Sequence, residues 1–233
     1  MDSLWRSLHT CRMSIIAFVR RTPSAGLLLV QLLGLLLYPL METSPRGRAF
    51  IGAFGLLVLG VALRVVRRSP WLTWVGVLLA LLVVLLSAIN VVSPHVALTP
   101  AIAAMEAIFY FYATGSLIAY MLQDWVATTD ELFAAGATFT LLAWAFAYVY
   151  VVCEAILPGS FGGTPDAPVV RSWMELLFLS VAVLSSVGLS DIVPTQPMAR
   201  SLVMLESFTG VMYIALVVSR LIGLTAMARK ERP

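Results

Sequence analysis

Apolar runs of about twenty residues recur along this chain, and one run among them is too short. The long ones fall at about Ala25–Met41, Ala49–Val66, Trp71–Val92, Pro100–Leu122, Glu131–Leu157 and Met198–Thr225. A hydrocarbon core of about 30 Å takes roughly 20 helical residues to cross, so each of these is read as a crossing. Ser172–Leu184 is just as apolar but reaches only about 20 Å at 1.5 Å per residue. Small and polar residues follow it through Pro197, so residues 172–197 are expected to enter and leave the bilayer on one side. The expected fold class is an all-α membrane protein with six transmembrane helices and one re-entrant helix. Composition excludes a water-soluble domain: 61% of the 233 residues are apolar and 12% charged, where soluble domains carry about a quarter.

Local signals divide the chain. Leu4, Leu8, Cys11, Ile15 and Val19 recur at helical spacing, with Arg6, Arg12, Arg20 and Arg21 between them and Pro23 behind. That pattern fits an interfacial helix over residues 1–23 better than a cleaved signal. Residues 24–123 then supply a four-helix bundle, and residues 124–233 a second unit. Its first helix opens on the Thr128/Glu131 spacing of a capping box and closes at Pro158-Gly159. With both termini in the cytoplasm, the inner side receives Arg6, Arg12, Arg20, Arg21, Arg64, Arg67, Arg68, Arg220, Arg229, Lys230 and Arg232, and the outer side only Arg46, Arg48, Arg171 and Arg200. That asymmetry orients a multi-pass protein of the cell membrane, with lipid as its surroundings.

Several functions are excluded at this level. The net charge of +3 marks no nucleic-acid surface, His9 and His95 are isolated, and Cys11 and Cys153 are placed on opposite sides of the bilayer, against a disulfide or metal pair. There is no nucleophile-base pair, phosphate loop or Cys/His cluster, so no enzyme and no cofactor are expected. The aromatic residues Phe109–Tyr112 and Trp144, Phe146, Tyr148 and Tyr150 are read as packing, and Gly52, Gly55 and Gly60 as close helix contacts. Pro100–Leu122 holds Glu106 and no Arg or Lys, which argues against voltage sensing. A partner for Glu106 is expected among Tyr110, Ser87 and Asn90.

Irregular backbone survives at membrane depth only where protein buries it or where it lines a water-filled path. Here the short helix is followed by Ser185-Ser186-Val187-Gly188-Leu189-Ser190-Asp191, then Ile192-Val193-Pro194. This resembles the pore loop of tetrameric potassium channels, whose T-V-G-Y-G-D run replaces an ion's hydration shell with rings of carbonyl oxygen. The resemblance covers about residues 130–225. It extends to a capped pore helix at Ser172-Trp173-Met174-Glu175, to Pro194, to Arg200, and to Gly210 near the family's hinge glycine. It implies a two-helix pore preceded by four added helices, and a homotetramer, because one chain provides a quarter of a filter.

The ion ligands the resemblance implies are main-chain oxygens of Ser186, Val187, Gly188, Leu189 and Ser190, with K+ or another monovalent cation as the permeant species and Gly188 supplying a positive φ. Asp191 either rings the outer mouth with charge or bonds locally to the pore helix. Glu154 stands where the family carries an acid tying the outer helix to backbone near the filter, and Glu175 supports the pore helix start. Glu206 has two readings, facing the cavity below the filter or hydrogen-bonded behind the pore helix. Gating is expected as bending near Gly210, with Ala215 and Val218 at the inner mouth. Arg171 and Arg200 are expected to pair with Asp166, Glu175 or Asp191.

Two departures from the family pattern imply poorer potassium/sodium discrimination. Ser190 replaces a glycine and is expected to be strained at positive φ. Leu189 replaces a bracing tyrosine, with Leu177 and Phe178 where a Trp pair is common. The function read from the sequence is passive conduction of monovalent cations. The alternatives are a non-conducting or ligand-dependent channel-like protein and a secondary transporter, which would need paired repeats that are not visible.

Overall fold

The computed structural model describes residues 22–42, 55, 57–63, 73–93, 95, 98–123, 128–163 and 171–230. The expected interfacial helix, most of the run from Ala49 to Val66 with its flanking arginines, and the loop holding Asp166 lie outside the described residues. The described chain is helical apart from one two-residue strand pair. Helix α1 spans Pro23–Glu42, α2 Thr73–Val92, α3 Leu98–Met121 and α4 Thr129–Ile156. Strand β1 (Phe161–Gly162) precedes helix α5 (Trp173–Leu184), and strand β2 (Val193–Pro194) follows it. Helix α6 (Pro197–Tyr213) continues through a π-helical turn at Ile214–Val218 into α7 (Ser219–Lys230).

Four described helical stretches are long and apolar enough to cross a membrane: α2, α3, α4 and Pro197–Gly223. Pro23 opens α1, where its missing N–H costs nothing; the helix it was expected to close lies outside the described residues. The start of α4 follows the sequence closely. Thr128 accepts from the Glu131 amide at 3.3 Å, and Glu131 accepts in return from the Thr128 amide at 3.2 Å. Asp130, beside them, is buried and accepts from the Ser24 amide (3.0 Å), the Ser24 hydroxyl (3.1 Å) and the Tyr120 hydroxyl (3.2 Å), so one carboxylate joins α1, α3 and α4.

Helix α4 is the centre of the chain. It packs against α1, α3 and α5, and is buried on nearly every side. Its alanines 134, 137, 143, 145 and 147 are all buried, because small side chains let neighbouring backbones approach where no hydrophobic effect separates helix from lipid. The aromatic residues pack as expected: Tyr110 of α3 stacks on Tyr148 (5.7 Å) and meets Trp144 edge-on (5.8 Å), while Trp173 of α5 lies 5.5 Å from Trp144. The glycine expectation fails at two of its three positions, Gly52 lying outside the described residues. A Cβ added at Gly55 or Gly60 meets nothing within 4 Å. Close approaches fall instead at Gly136, Gly162, Gly163 and Gly210.

Candidate pore loop

The short helix forms as its sequence dictates. The Ser172 hydroxyl accepts from the Glu175 amide (3.3 Å), the Glu175 carboxylate accepts from the Ser172 amide (2.6 Å), and twelve helical residues follow. Arg171 is buried and donates to Glu175 (3.3 Å) and to the Phe161 carbonyl (3.2 Å), which satisfies one of its expected pairings. Burial pushes the Glu175 carboxyl up, but the Ser172 hydrogen bonds and the Arg171 charge outweigh it and hold the group below the usual carboxylate range.

Both ends of this segment lie at the same end of the molecule. Arg171 is tied to β1, and β2 pairs antiparallel with β1, Phe161 facing Pro194 and Gly162 facing Val193. Residues 172–194 thus leave and return at one end of the molecule, the course expected of a re-entrant segment. Glu154, in the last turn of α4, is buried and accepts from the Gly159 and Phe161 amides, each at 3.1 Å. Through β1 it holds the strand on which the loop exits. Thr195 reinforces the same joint, its amide reaching the Ser160 carbonyl and its hydroxyl the Gly159 carbonyl. Arg200 donates to the Pro194 carbonyl (3.3 Å) rather than to an acid.

The loop turns back on the helix that delivers it. The Ser186 amide donates to the Val183 carbonyl (2.9 Å), and the amides of Val187 (3.1 Å) and Gly188 (2.9 Å) both donate to the Ala182 carbonyl. With these three N–H groups turned to the helix, the carbonyls of Ser186 through Ser190 receive no hydrogen bond from any described residue. Gly188 has φ +68°, as required of it. The strained residue is not Ser190, as expected, but Ser186, at φ +60°, because the tight reversal starts where the helix ends. Ser190 uses its hydroxyl to accept from the Ile192 amide (3.1 Å), and Ile192 is buried against Tyr150, Phe161 and Leu179. Leu189 is 74% exposed, so no described residue braces it. Asp191 is exposed and makes no bond to the pore helix among the described residues, which removes its local reading.

Residues 136–226 match a family model described as ion channel. The match runs from the first turns of α4 into α7 and leaves the loop near its middle, so this part of the chain is similar to an ion-channel domain, in a chain with four described helical stretches long and apolar enough to cross a membrane. No curated protein and no solved structure matches the chain.

Behind the pore helix of this domain, Glu206 of α6 is fully buried and takes hydrogen bonds from the Tyr150 hydroxyl of α4 and the Ser180 hydroxyl of α5. Ser180 also reaches the Ala143 carbonyl at 2.7 Å. Glu206 therefore does not face a cavity below the filter; it fastens three helices together. Gly210, one turn further along, lies against the end of the pore helix: an added Cβ would sit 2.1 Å from the Leu184 carbonyl oxygen. It is a packing glycine, and the irregularity expected there appears instead at the π-helical Ile214–Val218 turn, a feature often found at functional positions. Glu106 shares a cavity wall with Ser87 and Asn90, two of its expected partners, and with Tyr148.

Tyr150, Ser180 and Asp130 hold helices together with no local sequence signal, because their partners are distant along the chain.

Proposed function

We propose that four copies of the chain assemble around residues 186–190 into a pore that passes monovalent cations down their gradient, with six crossings per chain and both termini in the cytoplasm. The observation that carries this reading is the row of carbonyls at residues 186–190 that no described residue bonds, on a loop whose first three amides are already used against its own helix. Such oxygens need a ligand, and a dehydrating cation supplies one. The pore helix aims its negative C-terminal end toward the cavity beneath them, which favours cations further. A second support is the exposed apolar face of the inner helix, with Leu205 60%, Phe208 66% and Leu216 61% exposed in one chain. The ring of four Asp191 carboxylates would concentrate cations at the mouth.

Selectivity for K+ over Na+ is weak in this reading, because Leu189 has neither a hydroxyl nor a packing partner to hold the outer half of the filter. Voltage is not the stimulus, since α3 carries no basic residue. Flux from liposomes loaded with K+ or Na+ tests both statements. The expected result is cation flux with a modest K+ preference; discrimination as strong as that of a T-V-G-Y-G filter overturns the weak-selectivity reading, and no flux, even after Leu189→Tyr with Ser190→Gly, overturns conduction.

A further inference from the structure

A cavity of about 410 Å³ is lined by residues of α1, α2, α3, α4 and the first turn of α5, together with Gly55, toward the same end of the molecule as the pore loop. That volume suits a small organic ligand. Its wall includes Ser87, Asn90, Glu106, Trp144, Tyr148 and Trp173, and is mostly hydrocarbon and ring. Two polar groups decide what fits. Trp144 is 3% exposed, and its indole N–H has no hydrogen-bond partner among the described residues. The ring is fixed edge-on between Tyr110 and Trp173, so that donor is not free to turn elsewhere. Glu106, on the same wall as Tyr148, offers the acceptor oxygens of its carboxyl.

We propose that this cavity binds a small uncharged amphiphile by its hydroxyl group, an alcohol or phenol whose oxygen accepts from the Trp144 N–H and whose proton goes to Glu106. Donor and acceptor chemistry selects that head. An ammonium group has no lone pair for the indole, an ether has no proton for the carboxyl, and a hydrocarbon tail leaves a buried donor without a partner; a hydroxyl has both functions. The apolar body packs on the rings of Tyr148 and Trp173. Binding at this site does not depend on whether residues 186–190 conduct.

Photolabelling of the full-length protein in phosphatidylcholine nanodiscs tests the assignment. The probes are an octanol bearing a diazirine, its methyl ether, and the matching primary ammonium, with labels mapped by mass spectrometry. The octanol is expected to label the segments holding Glu106 and Tyr148 about fivefold more than the ether, the ratio one hydrogen bond gives, and more than the ammonium. Trp144→Phe and Glu106→Leu should bring that ratio close to one. Equal labelling by alcohol and ether, a preference for the ammonium, or labels falling elsewhere overturns the proposal. The unsubstituted protein alone yields the deciding ratio should either variant fail to assemble.

Discussion

Helix α4 and the helical stretch Pro197–Gly223 are nearly the same length and nearly equally apolar, yet 61% of the apolar window of the first is buried inside the chain and only 22% of the second. Composition does not separate them; their neighbours do. Helix α4 packs among α1, α3 and α5 and is the chain's own core, whereas α6 is held at a few chosen points. These are the Glu206 carboxyl between Tyr150 and Ser180, the Gly210 contact under Leu184, and the Tyr213 hydroxyl, which donates to the Ala135 carbonyl at 2.6 Å. The rest of its surface, including Met204, Leu205, Phe208 and Val211, faces outward. One helix forms the core of the chain, and the other leaves most of its apolar surface uncovered, the surface that meets lipid, further subunits and the ion path in the proposed assembly.

The sharpest way to break this contrast is at the inner helix's tightest contact. Gly210→Ala places a Cβ against backbone that cannot move aside, so a loss of about 3 kcal/mol is expected, with little folded protein by thermal melting in detergent. Gly223→Ala, where an added Cβ meets nothing within 4 Å, should melt like the unsubstituted protein. Next comes a matched pair of truncations. Leu141 of α4 is 0% exposed and Phe208 of α6 is 66% exposed. Leu141→Ala should cost about 2 kcal/mol of subunit stability through the cavity it leaves. Phe208→Ala should change melting by less than about 0.5 kcal/mol while shifting the oligomer toward smaller species in native mass spectrometry. Equal costs at the two positions would break the comparison.

A smaller effect is expected where the two helices join. Tyr150→Phe removes one of the two hydroxyls on Glu206 and should cost about 1 to 2 kcal/mol, and Glu206→Gln less than Glu206→Ala, because the amide still bonds Ser180. The smallest effect belongs to Glu175. Its carboxyl titrates lower in the folded protein than in the unfolded chain, so its contribution is present above the ordinary carboxylate pKa and is lost as pH falls through the lowered value. The group is partly exposed, so Glu175→Gln should cost under about 1 kcal/mol near neutral pH. The difference from the unsubstituted protein should vanish in acid, as read from melting temperature against pH.

What could be read from the sequence was local. Both capping boxes, the length of the short helix and the break at Pro158-Gly159 depend on residues within a few positions of one another, and all appear in the structure. The re-entrant course followed from length alone. The buried acids were harder because their partners are far away in sequence: Ser24 and Asp130 are 106 residues apart, Tyr150 and Glu206 are 56, and Ser180 and Glu206 are 26. Backbone strain was misplaced for another reason. The glycine pattern of a related filter pointed to Ser190, but the chain reverses at its first residue, and Ser186 takes the left-handed conformation. The π turn at Ile214–Val218 is a shift in hydrogen-bond register with no compositional mark.

In the proposed pore, main-chain oxygens of several subunits converge on one axis. Electron cryomicroscopy of the full-length protein in lipid nanodiscs with K+ present measures this directly. The predicted result is a particle of four subunits, residues 186–190 around the symmetry axis, density for ions on that axis, and the Phe208 face of α6 turned toward neighbouring chains. A monomeric particle, or an assembly in which residues 186–190 lie away from any axis, would contradict it.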